Sequence, residues 1–162
     1  MNNVQRVIGV DPGLNNTGFG ILDYKGSIIK VVAYGLITPP SNESIPNRLE
    51  YLNSHMNDLI DKFKPMYMAI EDSFYSQNVK SAILLGQARG VLLLSAASRG
   101  TPSMVYAPRK VKQSVTGSGS SSKQQVKYMV EKILDIEKKI SSFDITDALA
   151  IGICHINQNK YI

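Results

Sequence analysis

The sequence predicts an α/β layer fold built on a mixed sheet, and three observations predict it. Residues 6–38 hold three apolar runs separated by tight turn signals, the pattern of an antiparallel meander. From Ile45 onward, apolar residues recur at helical spacing. After Pro65, strand and helix patterns alternate, the order in which a sheet gains helix-covered strands. No segment repeats and no linker divides the chain, so residues 1–162 are expected to form one domain, with the tail 157–162 fraying.

Arg6 to Asp11 reads as a buried strand, stopped by Pro12-Gly13. Thr17 to Tyr24 is the second strand and ends at Lys25-Gly26-Ser27; Ile28 to Thr38 is the third, ended by Pro39-Pro40. Residues 41–47 are loop. Between Ile45 and Phe63, the residues Leu49, Leu52, Met56, Leu59, Ile60 and Phe63 share one helical face. A strand follows from Tyr67 to Glu71, a helix over 78–99 and a fifth strand over 103–107. Helices are expected over 108–116 and 123–134, around a Gly/Ser loop. The last helix runs from Phe143 to Ile156.

Composition narrows the function classes. At 162 residues and 43% hydrophobic content the chain can build a real core. Eighteen Lys and Arg stand against 13 acids, a net charge of +5, which suits a polyanionic partner. Cys154 is the single cysteine, so an intrachain disulfide and a multi-cysteine zinc site are both excluded. Its apolar surroundings make it a small buried hydrophobe, compatible with a reducing cytoplasm. The N-terminus lacks the apolar core of a signal peptide, and no uninterrupted apolar run approaches ~18 residues, so a cytoplasmic protein that crosses no membrane is expected.

Four acids sit where apolar segments end or begin. Asp11 closes Val7-Ile8-Gly9-Val10, Glu71 closes Tyr67-Met68-Ala69-Ile70, and Asp144 and Asp147 open Ala148-Leu149-Ala150-Ile151. Each has an ordinary explanation: a turn residue for Asp11, and helix-dipole stabilisation of ~0.3–1 kcal/mol each for Asp144 and Asp147. Those explanations do not account for four at once. Carboxylates gathered at one sheet edge resist ionising together and call for a cation; oxygen ligands suit Mg²⁺ or Mn²⁺. Asp144 and Asp147, three apart, share a helical face. Glu71 and Asp72 are adjacent and alternation lets only one face the site, but a central strand buried on both faces leaves the choice open. His155 lies ~12 Å along the helix axis from Asp147, too far to share a metal, and reads as a helix-surface or partner-facing residue. His55 is expected on the outer side of its helix.

The motifs, taken in order, resemble RuvC, the bacterial Holliday-junction resolvases. Ile8-Gly9-Val10-Asp11-Pro12-Gly13 with Thr17-Gly18-Phe19-Gly20 looks like that family's first motif. Ala69-Ile70-Glu71, with Phe74 and Asn78, resembles its second, and Leu85-Gly86-Gln87-Ala88-Arg89-Gly90 its helical motif. Arg109-Lys110-Val111-Lys112-Gln113 and Lys123-Gln124-Gln125-Val126 are similar to its basic segments, and Asp144 to Ala150 to its final acidic motif. The resemblance runs from about residue 6 to residue 158. It implies an RNase H-like fold, a five-stranded mixed sheet flanked by α-helices. It also implies that Asp11, Glu71, Asp144 and Asp147 bind two Mg²⁺, with Mn²⁺ able to substitute, and favours Glu71 over Asp72. Two metals ~3.5–4 Å apart stabilise both the attacking and the leaving oxygen of a phosphodiester. The chain departs from the family at Ser120-Ser121-Ser122 and in its short C-terminus, without an extended basic tail.

The resemblance further implies four-way junction DNA as substrate, paired nicks leaving 5′-phosphate and 3′-hydroxyl ends, and a RuvA–RuvB branch-migration complex as partner. Lys112 and Lys123 are then the contacts near the cut strand, with Arg109 in the same basic cluster. Phe74 is placed to stack on an unpaired base, with Tyr75 a weaker candidate for that role. Gly117 to Ser122 offers backbone N–H groups to a phosphate, or is a flexible loop. The helix from Val79 to Arg99 is apolar nearly all round; Ala82, Gly86, Gly90 and Ala97 permit close approach, and a homodimer follows. Three rivals stand beside this reading. An ATP-binding enzyme of the actin and sugar-kinase type shares the Asp11-x-Gly13 loop but needs two lobes. A non-catalytic junction-binding module leaves the four acids unexplained. A nuclease of the same fold acting on other branched or hybrid nucleic acids is distinguished by its substrate alone.

Overall fold

The computed structural model describes residues 3–72 and 78–159. Its strands are β1 (Gln5–Asp11), β2 (Thr17–Lys25), β3 (Ile28–Ile37), β4 (Tyr67–Glu71) and β5 (Ser103–Tyr106). They form one sheet in the order β3-β2-β1-β4-β5. The meander β1–β2–β3 is antiparallel, because its turns are too short for a crossover. β4 pairs parallel to β1, and β5 parallel to β4. These connections pass through helices α1 (Ile45–Phe63) and α2 (Val79–Ser98), as parallel pairing requires. The sequence expectation of a mixed five-stranded sheet holds.

Two apolar layers flank the sheet. On one face Ile8, Val10, Met68 and Ile70 pack with Leu52, Met56 and Ile60 of α1 and Ala88 and Leu92 of α2. On the other, Val7, Leu22 and Ala69 pack with α3 (Pro108–Thr116), α4 (Lys123–Ile133) and α5 (Phe143–Asn159). Each fully buried Ile or Leu contributes ~1.5–3 kcal/mol. The helix ends follow local chemistry. Ser44 and Asn78 cap α1 and α2 by accepting from the N–H groups of Asn47 and Ser81, three residues on. Pro108 starts α3, Gly117 at φ +83° ends it, and Ser122 with Gln125 forms a capping box on α4.

α5 lies unusually close to β1 and β2. A Cβ on Gly9 would collide with the Ala148 carbonyl, and one on Gly18 with the Asp144 carbonyl. Glycine is required at both because helix backbone occupies the space of a side chain. α5 also runs three residues beyond the expected Ile156. Asn157 Nδ2 donates to the Ser114 carbonyl and hydroxyl at 3.2 and 3.1 Å, and Asn159 Nδ2 to the His155 carbonyl at 2.7 Å. Residues 157–159 are therefore docked helix rather than frayed tail; residues 160–162 lie outside the described residues.

His155 is a correction. It is 1% exposed rather than on the surface. Its Nδ1 is 2.8 Å from the Tyr106 hydroxyl, and its ring packs against Tyr67 at 5.1 Å between centroids. The helix is buried from Ala148 through Ile156, so a polar residue within that run is enclosed with the rest. His55 is exposed, stacked on Tyr51 at 3.8 Å.

Candidate active site

Strand parity brings the first two acids together. Val7 and Ala69 point into the α3–α5 layer; four residues beyond Val7 and two beyond Ala69, Asp11 and Glu71 point to the same side. Asp72 faces the opposite way, where the Arg89 guanidinium of α2 pairs with it at 3.3 Å. Arg89 Nε also donates to the Glu71 carbonyl at 3.4 Å. Glu71, not Asp72, therefore lines the cavity with Asp11. α5 supplies the other two acids in its first turns, held at the sheet by the glycine contacts.

Asp11, Glu71 and Asp147 line one cavity of about 230 Å³ with Lys112 of α3 and Lys123 of α4, above an apolar floor of Val111 and Val126. Asp144, one turn earlier, lines an adjoining groove of about 310 Å³ with Gly13, Asn15 and Asn16. The two helical acids thus stand on neighbouring walls rather than in one pocket. A larger hollow of about 690 Å³ sits at the far end of the sheet, but its charged pair, Asp61 and Arg99, is already joined at 2.8 and 3.0 Å.

The electrostatics record the crowding. Burial, then the nearby charges of Glu71, Asp147 and Asp144, push the Asp11 carboxyl up to about 8. Burial raises Asp147 as well, against the pull of Lys123. Burial works against the Lys123 ammonium, but Asp147, Asp11 and Asp144 outweigh it and raise its pKa. Lys123 Nζ stands 3.3 Å from Asp147 Oδ2. Two lysines do not offset four carboxylates, and the donor set is oxygen throughout, which fits a hard divalent cation. Among the described residues no three His, Cys, Asp or Glu side chains are drawn together to chelate a single ion. Mg²⁺ needs only one or two carboxylates, taking water and substrate phosphate for the remainder.

The predicted contact residues divide. Lys112 and Lys123 reach the cavity. Arg109 is exposed and does not line it; its side-chain stem lies against Gly119. Phe74 and Tyr75 lie outside the described residues. The Gly/Ser loop is neither a phosphate cradle nor slack. The N–H groups of Ser118, Ser120, Ser121 and Ser122 donate to Thr116 Oγ1, Ser118 Oγ, the Ser118 carbonyl and Gln125 Oε1. Four of the loop's N–H groups are thus taken by polar atoms of the loop and of the adjoining helix ends, which ties α3 to α4.

Arg48 was missed by the sequence reading. It is 8% exposed, and its guanidinium donates to the Leu14 carbonyl at 3.1 Å and Asn15 Oδ1 at 2.8 Å, bracing the β1–β2 loop beside Asp144. The signal was present: an arginine on the apolar face shared by Ile45, Leu49 and Leu52 must have a buried partner.

Comparison with known proteins gives the family and the fold. The family model described as crossover junction endodeoxyribonuclease RuvC matches residues 7–155. The RuvC of Alkaliphilus oremlandii is 41% identical over 155 residues, covering 96% of this chain and 94% of the relative. That of Clostridioides difficile is 39% identical over 154 residues, covering 95% and 91%. Among solved structures, Thermus thermophilus RuvC in complex with Holliday junction substrate superposes with a TM-score of 0.91 at 27% identity, over 96% of this chain and 95% of that one. The yeast mitochondrial Holliday junction resolvase Ydc2 matches with a TM-score of 0.70 at 15% identity, over 94% and 79%, a likeness of fold alone.

Proposed function

The chain belongs to the RuvC family of crossover junction endodeoxyribonucleases, and we propose that it resolves four-way DNA junctions by metal-dependent hydrolysis, as a homodimer making paired nicks. The observation that carries the chemistry is the convergence of Asp11, Glu71 and Asp147 with Lys112 and Lys123 in one cavity, beside Asp144.

Asp11, Glu71, Asp144 and Asp147 would hold two Mg²⁺, with Mn²⁺ as a substitute. Bound there, the ions would supply an activated water and offset the charge on the attacking and leaving oxygens. The chain's own residues do the remainder. Arg89 keeps β4 turned so that Glu71 faces the cavity and Asp72 does not. Lys112 and Lys123 hold the phosphate from two helices whose spacing the hydrogen-bonded serine loop maintains. Lys123 is paired with Asp147 at 3.3 Å; with Asp147 engaged as a metal ligand, its ammonium would be free to hold the incoming phosphate. No nucleophilic side chain is required, and the products carry 5′-phosphate and 3′-hydroxyl ends. Phe74 is the proposed base-stacking residue, and Arg109 a phosphate contact outside the cavity.

The homodimer is supported by α2. Val79, Ile83 and Leu94 are 76%, 55% and 63% exposed, in line with the small residues Gly86, Gly90 and Ala97. α2 is also long and apolar enough to cross a bilayer. However, Arg89 at its centre, paired with Asp72, is costly in lipid, and a second copy covers the face without that cost. Two active sites related by a two-fold axis match a substrate of the same symmetry. Action on DNA places the protein in the cytoplasm, and family membership implies RuvA and RuvB as its partner complex.

The test is cleavage of a labelled four-way junction beside a matched linear duplex and an RNA–DNA hybrid, with Mg²⁺ or EDTA. Paired, ligatable nicks in the junction alone, abolished by EDTA and by Asp11→Asn, are expected. Cutting of the hybrid instead would keep the metal site and replace the substrate. Analytical ultracentrifugation at micromolar concentration tests the dimer, and a monomer would overturn it.

A further inference from the structure

The acid cluster leaves one basic residue beside it unaccounted for. α4 carries Lys123 and, one helical turn or ~6 Å farther along, Lys127. The two ammonium groups lie over the same ring, that of Phe143, at 6.0 and 5.5 Å from its centroid. Phe143 immediately precedes Asp144, begins α5 and carries Lys123 of the acid cavity over its ring, so this aromatic step adjoins the candidate active site.

The two lysines differ in charge balance. Lys123 is committed to Asp147. Lys127 makes no ion pair among the described residues: the four pairs found there join Arg6 to Asp23, Arg89 to Asp72, Arg99 to Asp61 and Lys123 to Asp147. A cation resting on an aromatic face is partly pre-positioned, which lowers the entropy lost when it grips a ligand. Beyond it opens a groove of about 580 Å³, lined in part by Lys127, Gln124, Tyr128 and Phe143. Farther along, the groove mixes Lys132 and Lys139 with Glu131, Asp135 and Glu137, so its positive character is concentrated at the Lys127 end.

We propose that Lys127 is a further DNA-contacting residue, gripping a backbone phosphate of the cut strand next to the one held at the acid cluster, with the strand leaving over Phe143 into the α4 groove. The inference rests on the junction-endonuclease reading. It adds a binding contact, and predicts an effect on affinity and on its salt dependence.

The experiment measures binding of the full-length protein to a labelled four-way junction in EDTA, so that no strand is cut, across a series of salt concentrations. Variants are Lys127→Met, which keeps the stem over the ring, Lys127→Arg, which keeps the charge, and Lys25→Met, an exposed lysine at the end of β2 away from the acids. Lys127→Met is expected to weaken binding about tenfold near 0.1 M salt and to make the slope of log K against log salt shallower by about 1. Lys127→Arg should restore both, and Lys25→Met should change neither. An unchanged slope in Lys127→Met, whether affinity holds or falls together with thermal stability, would overturn the inference and leave Lys127 as packing for Phe143. Wild type that fails to bind the junction would overturn the functional reading itself, a result separable from any behaviour of the variants.

Discussion

Acid should destabilise this protein through His155. The imidazole is enclosed, its Nε2 has no hydrogen-bond partner, and its ring meets Tyr67 and Tyr106 rather than a carboxylate. Burial lowers its pKa to about 4 from an ordinary 6.5. A group whose folded pKa is depressed in this way favours the neutral form in the fold, so between pH 6.5 and 4 the unfolded chain binds more protons. Its stability contribution is complete above pH 6.5, falls as pH drops, and levels off below about 4. Across that window the loss reaches about 3 kcal/mol at ~1.4 kcal/mol per pH unit. The assay is urea unfolding in EDTA at pH 7, 6, 5 and 4, comparing wild type with His155→Gln. Subtracting the two curves removes the carboxylates common to both. The difference should shrink as pH falls and be flat at neutral pH. Parallel curves would refute the reasoning, showing that the ring is solvated or finds a carboxylate when charged.

Other perturbations test the frame around the acids. Gly18→Ala drives a Cβ into the Asp144 carbonyl, and should cost more than ~3 kcal/mol or displace α5 with loss of cleavage, read by denaturant unfolding and junction nicking. Gly86→Ala meets nothing within 4 Å in the monomer and should stabilise α2 by ~0.5–1 kcal/mol. If α2 is the dimer face, the same variant should also raise the dimer dissociation constant in ultracentrifugation. Arg89→Met releases Asp72, and should lower kcat for junction cleavage by tenfold or more with little change in binding, because Glu71 loses its orientation.

The sequence discloses most where the cause is local. The meander follows from turns a few residues long, and the helix ends from Pro108, Gly117 and Ser122 acting on their own backbone. The acids were visible because a charge at the end of an apolar run is conspicuous. The unread parts depend on partners distant in the chain. Spacing alone leaves Glu71 and Asp72 equivalent and only the family resemblance favours Glu71; in the structure the cavity lining and the Arg89 pair from another element tell them apart. His155 and the last turn of α5 depend on Tyr106 and Ser114. Composition leaves the serine loop as either slack or anion-binding, because it does not disclose that nearby hydroxyls take the N–H groups of Ser118 and Ser120. Asp144 and Asp147 share a helix face, as spacing requires, but line separate hollows, and the β1–β2 loop braced by Arg48 lines the one that holds Asp144.

The contact of α5 with Gly9 and Gly18 has a consequence for how the acid cluster can vary. Backbone touches backbone there, with no side chain between to swell, shrink or change rotamer. The gap between the carboxylate of β1 and those of α5 is therefore set by main-chain thickness, a dimension common to all residues. Substitutions elsewhere in the core reach it only by bending the helix or the strand. What remains adjustable is the length of the acids themselves, one methylene at a time. Attempts to tune such a site are best aimed at Asp-to-Glu exchanges at its four corners, because the scaffold beneath them has no slack to give.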